Sequence, residues 1–231
     1  MKSDLLIRNA LIVDGTGAPP FLGSVRVSGE RIAEVGECAG TAKIEIDADG
    51  LVLAPGVIDS HTHFDAQITW DPMATPSPGH GVTTVLIGNC GFTIAPCKPE
   101  NRDKTMRNLV RVEGMSLKAM EAGIDWEFES FSDYLQLLET KGVGPNVGTF
   151  VGHSSIRTHV LGDEASLRSA TEDEVEAMRC LVDEAMAAGA VGFSTSTSPS
   201  HNGADGNPMP SRLATEHELK TLVGVLGTRG K

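Results

Sequence analysis

LAPGVIDSHTHFD, residues 53–65, is the stretch whose reading decides the fold. Leu53, Val57 and Ile58 are apolar, Pro55 and Gly56 sit among them, and the polar run Asp59, Ser60, His61, Thr62, His63 follows. The segment therefore reads as a short buried strand opening into a polar mouth. His61 and His63 stand at its exit. Side chains two apart on a strand point the same way, roughly 6 to 7 Å apart, so two imidazoles placed there can converge on one ion. An isolated pair would more simply be two surface histidines. Here the pair follows an apolar strand directly, and Asp59, two residues upstream, is placed to orient an imidazole from behind. The spacing predicts a metal site.

Downstream, strand and helix alternate. A Pro-rich connection (Pro72, Pro76, Pro78) leads to a second strand, VTTVLIG at 82–88. After an excursion with helical stretches over 102–113 and 131–140, the latter capped by Ser130 or Ser132, a third strand, NVGTFVG, spans 146–152. Thr171 and Glu174 form a capping box, and Gly189 ends the helix they open. A fourth strand over 190–195 leads into SPSHNGADGNPMPSR, residues 198–212, which is too rich in Gly, Pro and Asn for regular structure, and a last helix runs from about Thr215 to Leu226.

Four such alternations with near-continuous apolar strands predict a parallel sheet with helical crossovers. No G-x-G-x-x-G or Walker sequence occurs, so a doubly wound nucleotide fold has no phosphate turn to work with. The chemistry-bearing residues instead fall at the C-terminal ends of successive strands: His61 and His63 after the first, Asn89 and Cys90 after the second, His153 and Ser154 after the third, Ser196 to His201 after the fourth. That is the habit of a (β/α)8, TIM-type barrel. A whole barrel takes roughly 250 residues and eight units, whereas residues 55–231 hold about four βα units, so the expected fold is α/β with a partial barrel, its N-terminal half. Residues 1–54 carry apolar pairs between turn signals (Asp14-Gly15, Ser28-Gly29-Glu30, Asp49-Gly50) and read as a small antiparallel β unit. Being too small to stand as an independent sandwich, it is expected to form part of a composite one.

The composition reads as that of a globular, soluble chain. A chain of 231 residues with 40% hydrophobic residues can bury a core. A net charge of −12 argues against a nucleic-acid or anionic-membrane partner. No run of apolar residues is long enough for a membrane span, and the apolar stretch after Met1, Lys2 is too short for a signal peptide, so a cytoplasmic location is expected. Cysteines 38, 90, 97 and 180 lack zinc-finger spacing and are expected to be free thiols. Cys180 projects from the polar face of its helix, and Cys38 and Cys97 read as structural.

Cys90, in GNCGF at the second strand mouth, is the exception. A thiolate binds zinc at about 2.3 Å and an imidazole at about 2.0 to 2.1 Å, so adjacent barrel strands could bring His61, His63 and Cys90 around one or two zinc ions. The plainer alternative is a small buried residue; flanking Gly88 and Gly91, which let the backbone turn at a mouth, favour the ligand. Asp59, Asn89 and His153 are candidates to support the ligands or to face substrate, and for His153 an ordinary structural histidine is an equal alternative. His80 precedes the second strand and belongs to the bottom of the barrel. His201 lies in a flexible loop on the active face, and His159 and His217 are expected to face solvent.

The chain resembles the N-terminal half of the amidohydrolase superfamily, specifically its N-acyl-D-amino-acid deacylase (D-aminoacylase) family. DLLIRNALIVDGTG, LAPGVIDSHTHFD, GVTTVLIGNCGF, FSDYLQLLE, VGHSSIR and EAMAAGAVGFST carry the resemblance in order and spacing. The pairing of an HxH strand with a GNCG strand is its specific part. The resemblance implies that Cys90 ligates zinc together with two histidines from later strands, and that His61 and His63 hold a second metal with a late aspartate. It also implies that those residues, like the catalytic acid/base aspartate, lie beyond Lys231. No lysine stands at any of the four strand ends, which favours this cysteine-type site over a carboxylated-lysine bridge. The expected function is thus zinc-dependent hydrolysis of a small amide, an N-acyl-D-amino acid above all. The alternatives are a non-catalytic fragment, a half of an assembly completed by another chain, or an amidohydrolase with a different cyclic or linear amide substrate.

Overall fold

The computed structural model describes residues 3–230, so Met1, Lys2 and Lys231, which enter the sequence-based expectations about the termini, lie outside the described residues. The chain divides between Gly56 and Val57 into two units.

The first unit is a five-stranded sheet. Its strands are β1 (Ser3–Ile12), β2 (Phe21–Ser28), β3 (Arg31–Gly36), β4 (Ala42–Asp47) and β5 (Val52–Leu53). β1, β2 and β3 form the expected antiparallel meander, while β4 and the short β5 lie parallel to β1 on its other side. Leu6, Ala10, Ile12, Val25 and Ala48 are buried, whereas Ile32, Ile44 and Ile46 remain exposed. A sheet this small cannot cover both of its own faces.

The second unit is α/β. It runs β6 (Val57–Asp59), β7 (Val82–Ile87), α1 (Arg102–Glu113), α2 (Leu117–Gly123), α3 (Phe131–Lys141), β8 (Asn146–Gly152), α4 (His153–Leu161), α5 (Glu172–Ala188), β9 (Gly192–Ser194) and α6 (Glu216–Thr228). The sheet order is β6-β7-β8-β9, and every neighbouring pair is parallel. This is the four-stranded half-barrel sheet that the strand-helix alternation predicted.

The helices begin and end where side chains satisfy their orphan backbone groups. Ser130 with Asp133 and Thr171 with Glu174 make complete capping boxes for α3 and α5, and Gly189 in the left-handed region closes α5. Val175, Met178, Val182, Ala185 and Met186 of α5 share one buried face, while Cys180 is exposed. Val85 and Ile87 of β7 pack with Met106, Leu109, Tyr134 and Leu138 of the excursion helices. Val151, Ile156, Met178 and Leu222 form the core of the later units. Cys38 and Cys97 are buried free thiols.

The opening stretch differs from its sequence reading. Leu53 belongs to β5, in the first unit, and the barrel strand proper is Val57–Asp59, with Val57 and Ile58 54% and 64% exposed. Among the described residues β6 has a neighbour on one edge only, β7, so its apolar side chains are not enclosed. Two helices, α2 and α4, go beyond the expected elements; α2 is capped by Ser116, whose hydroxyl oxygen accepts the Ala119 N–H at 3.4 Å. α4 starts directly on the last residue of β8, which leaves no loop to announce it. The 198–212 segment is largely irregular, as expected, but is tied together by hydrogen bonds. Asn202 bridges Pro208, and Arg212 donates to the His201 carbonyl at 3.1 Å and to the Asn202 side chain at 2.5 Å.

Candidate metal centre

The two histidines lie just beyond β6, in non-strand backbone. Thr62 between them is buried and turned toward β7: its N–H and hydroxyl donate to the Leu86 carbonyl at 3.1 and 2.8 Å. The buried Asn89 amide adds bonds to the Thr62 and Leu86 carbonyls at 3.1 and 2.9 Å. With Thr62 stitched to β7, its neighbours His61 and His63 share the other face, and their ring centroids are 5.3 Å apart.

Cys90 is aimed at them by an unusual turn. Gly88 (φ +83°) and Cys90 (φ +56°) both occupy the left-handed region, which glycine tolerates and cysteine enters only when its surroundings compel it. The compulsion is visible. Asp65 Oδ2 accepts the Gly88 N–H at 3.0 Å, Ser194 Oγ at the end of β9 accepts the Gly91 N–H at 3.0 Å, and the Ser194 hydroxyl donates to the Gly88 carbonyl. Strand exits on both sides thus clamp the turn.

His61, His63 and Cys90 consequently offer one ligand atom each, all within 4.8 Å of one another. The His61 Nε2 to Cys90 Sγ distance is 3.5 Å, which matches the edge of a tetrahedron built on ~2.0 to 2.3 Å zinc bonds. Two imidazoles and a thiol are also a donor set that zinc accepts. The residues present fit a zinc ion.

The electrostatics are those of a site short of a cation. Burial first, then the charges of His61 and His201, push the His63 pKa down to about 4, so its imidazole is neutral near pH 7. Burial and the nearby Glu113 push the Cys90 thiol up. Burial drives Glu113 up to about 7. Asp65, wholly buried, also rises to about 7 because burial outweighs its bond from Gly88, and its Oδ1 has no partner.

The other sequence candidates fall elsewhere. Asp59 does not reach an imidazole; its Oδ1 accepts the backbone N–H of His61 at 3.3 Å, because the chain turns immediately after β6. Asn89 secures backbone, as above. His153 is fully buried, with Nε2 2.7 Å from Glu218 Oε1 and Nδ1 2.9 Å from Thr195 Oγ1, so neither nitrogen is left for substrate. His201 lies edge-on to Phe92 at 5.0 Å with Nδ1 2.8 Å from Ser196 Oγ. His80 is exposed in the turn before β7, and His217 is exposed beside Glu172. His159 does not face solvent: it is half-buried, and its Nδ1 is buried without a partner.

Sequence reasoning passed over Asp65, Glu113 and Ser194. Asp65 continues the every-second-residue series of His61 and His63. Glu113 is an acid at the C-terminal end of a helix, where the helix dipole disfavours negative charge. Each anomaly was readable, but neither named a partner.

A family model described as Amidohydrolase family matches residues 45–226, a span that contains the whole trio. Over 193 residues the chain is 39% identical to a D-aminoacylase of Alcaligenes xylosoxydans xylosoxydans, covering 83% of this chain and 37% of that one. A solved structure of D-aminoacylase superposes with a TM-score of 0.81 at 36% identity, over 99% of this chain and 44% of that one. The N-acyl-D-glutamate deacylase of Bordetella bronchiseptica, solved with zinc and a phosphonate mimic of the tetrahedral intermediate, superposes at 0.79 with 31% identity over the same 99% and 44%. The chain spans less than half the length of these relatives.

Proposed function

The chain belongs to the amidohydrolase family, and from that premise we propose that it carries the N-terminal half of the active site of a zinc-dependent amidohydrolase. The reaction is hydrolysis of an N-acyl-D-amino acid to a carboxylate and a D-amino acid. The observation that carries this reading is the convergence of His61, His63 and Cys90 within 4.8 Å, in a chain 39% identical to a D-aminoacylase.

His61, His63 and Cys90 hold the zinc, one ion or two. Bound there, zinc supplies Lewis acidity, polarising an amide carbonyl and lowering the pKa of water from 15.7 to about 7. His63 contributes a lone pair that needs no deprotonation at neutral pH, while Cys90 must release its proton to serve as thiolate. Thr62, Asn89 and Asp59 act on backbone and keep the donors pointed at one place. The remaining ligands and the aspartate that shuttles the proton to the leaving amine come from residues outside this chain.

Residues 1–54 are one part of a β-sandwich, and residues 55–231 the N-terminal half of the barrel. The partner is a small-molecule amide; a net charge of −12 argues against nucleic acid and anionic membrane. Among the described residues no helix is long and apolar enough to cross a membrane. The four cysteines are free, which supports a cytoplasmic setting. Among the described residues β6 and β9 each lack a second neighbouring strand, which favours a second reading in which another chain completes the barrel.

The test is zinc analysis of the chain alone and of a longer protein that contains it, with release of D-amino acid from N-acetyl-D-amino acids measured before and after chelation. Activity should need the longer protein, vanish with the metal and return with zinc. A metal-free protein that retains full activity would overturn the proposal. Size-exclusion chromatography of the chain alone separates the two readings.

A further inference from the structure

Glu113 is in an unfavourable place for a carboxylate. It is the last residue of α1, where the dipole opposes its charge. Its side chain is only 15% exposed, and its carboxyl accepts no hydrogen bond among the described residues. The group facing it is His63, with Nδ1 3.4 Å from Oε1. That nitrogen is buried and is itself without a hydrogen-bond partner. The orphaned His63 nitrogen, a donor when protonated, and the Glu113 carboxylate, an acceptor, thus face each other at 3.4 Å without the alignment of a formed hydrogen bond, and the buried nitrogen left unpaired would carry a desolvation penalty.

We propose that Glu113 is the positioning residue of His63: its carboxylate accepts the Nδ1–H, fixes the imidazole in that tautomer and leaves the Nε2 lone pair for the metal. A metal-ligating histidine commonly donates its other N–H to such a carboxylate, which fixes ring orientation and raises ligand basicity. His61 presents Nε2 toward Cys90 Sγ at 3.5 Å, so both imidazoles then offer the same nitrogen. Glu113 also belongs to the excursion between β7 and β8 rather than to a strand mouth, so α1 acts as a buttress for the ligand. This rests on reading the trio as a metal site, but the tautomer exists with or without metal and can be measured separately.

The experiment uses the whole chain, labelled with 15N and stripped of metal. Two-bond 15N–1H correlation spectra at mildly alkaline pH report the His63 tautomer, with its signals assigned by their loss in His63→Gln. Zinc affinity is measured in parallel by competition with a chromophoric chelator, and circular dichroism checks folding. Wild type is expected in the Nδ1–H form. Glu113→Gln, whose amide oxygen still accepts, should keep that tautomer but weaken zinc. Glu113→Ala should lose the tautomer and weaken zinc about 10- to 100-fold. An Nε2–H tautomer in wild type would overturn the proposal, as would tautomer and zinc affinity unchanged in both variants. If the tautomer follows this pattern while wild type binds no zinc, the Glu113–His63 pair stands and the metal reading falls.

Discussion

Cys90 binds a soft cation only as a thiolate, and its surroundings favour the thiol: burial and the Glu113 charge push its pKa up. Zinc must therefore displace a proton. Zinc affinity should rise about tenfold per pH unit for each proton released, and most of that dependence should disappear in Cys90→Ala together with much of the affinity; competition titrations across neutral pH check both. Asp65 gives a different pH signature. Its native pKa of about 7 stands above the usual 3.8, so between those values the unfolded chain has lost a proton that the folded chain retains. Stability from this group is greatest below pH 4, falls as pH rises to about 7, and is flat beyond. Some three pKa units correspond to a difference on the order of 4 kcal/mol. Glu113, raised to about 7, slopes the same way. His63, lowered to about 4, slopes oppositely, losing stability as pH falls from 6.5 to 4. Asp65→Asn should remove one descending limb, so that in metal-free urea denaturation the variant gains on wild type as pH rises from 4 to 7.

At the scale of the element, the Cys90 turn and the start of α5 make a useful contrast. A Cβ on Gly88 would collide with the Phe150 carbonyl oxygen and come within 2.9 Å of Thr93 Cγ2, at φ +83°. Gly88→Ala should destabilise by about 2 kcal/mol or more and weaken zinc as well, because the turn that aims Cys90 must shift. Thr171→Ala removes the α5 cap at a place that carries no site residue. It should lose about 0.5 to 2 kcal/mol with zinc affinity unchanged. Denaturation and zinc competition on the two variants separate site geometry from bulk stability. The capping box of α5 and the Ser130 cap of α3 were legible because they are local chemistry over four residues. α4 was not, since it begins directly after β8 at a buried histidine whose partners lie 42 and 65 residues away.

Those partners belong to the architecture of the second unit. Glu218 of α6 meets His153 at 2.7 Å and Arg157 of α4 at 2.5 Å, and all three side chains are fully buried. Burial opposes the charge on Glu218, but the bonds from His153 and Arg157 outweigh it and hold the carboxylate below its usual range. Burial keeps His153 neutral, so its Nε2–H donates to Glu218 and its Nδ1 accepts from Thr195. The network ties the ends of β8 and β9 to α4 and α6. Glu218→Ala would leave the Arg157 guanidinium buried without its counter-charge and should lose about 3 to 5 kcal/mol, read as a lowered urea midpoint. A histidine at a strand mouth is compatible with support, substrate contact or structure; only the arrival of α6 assigns His153 to the last.

Periodicity, caps and turn residues were enough to establish a parallel four-stranded sheet with helical crossovers, because each is chemistry among near neighbours in the chain. The same local reading marked His61, His63 and Cys90 by residue type and spacing at the exits of short strands, although the histidines lie beyond β6 in non-strand backbone and Cys90 in a left-handed turn. Folding alone decided what surrounds that trio. Glu113 reaches His63 from α1, Ser194 clamps the turn from β9, and Asp65 is buried against Gly88, contacts that span between 23 and 106 residues of chain. Separations of that length are closed by packing, and no pattern within a single segment records them.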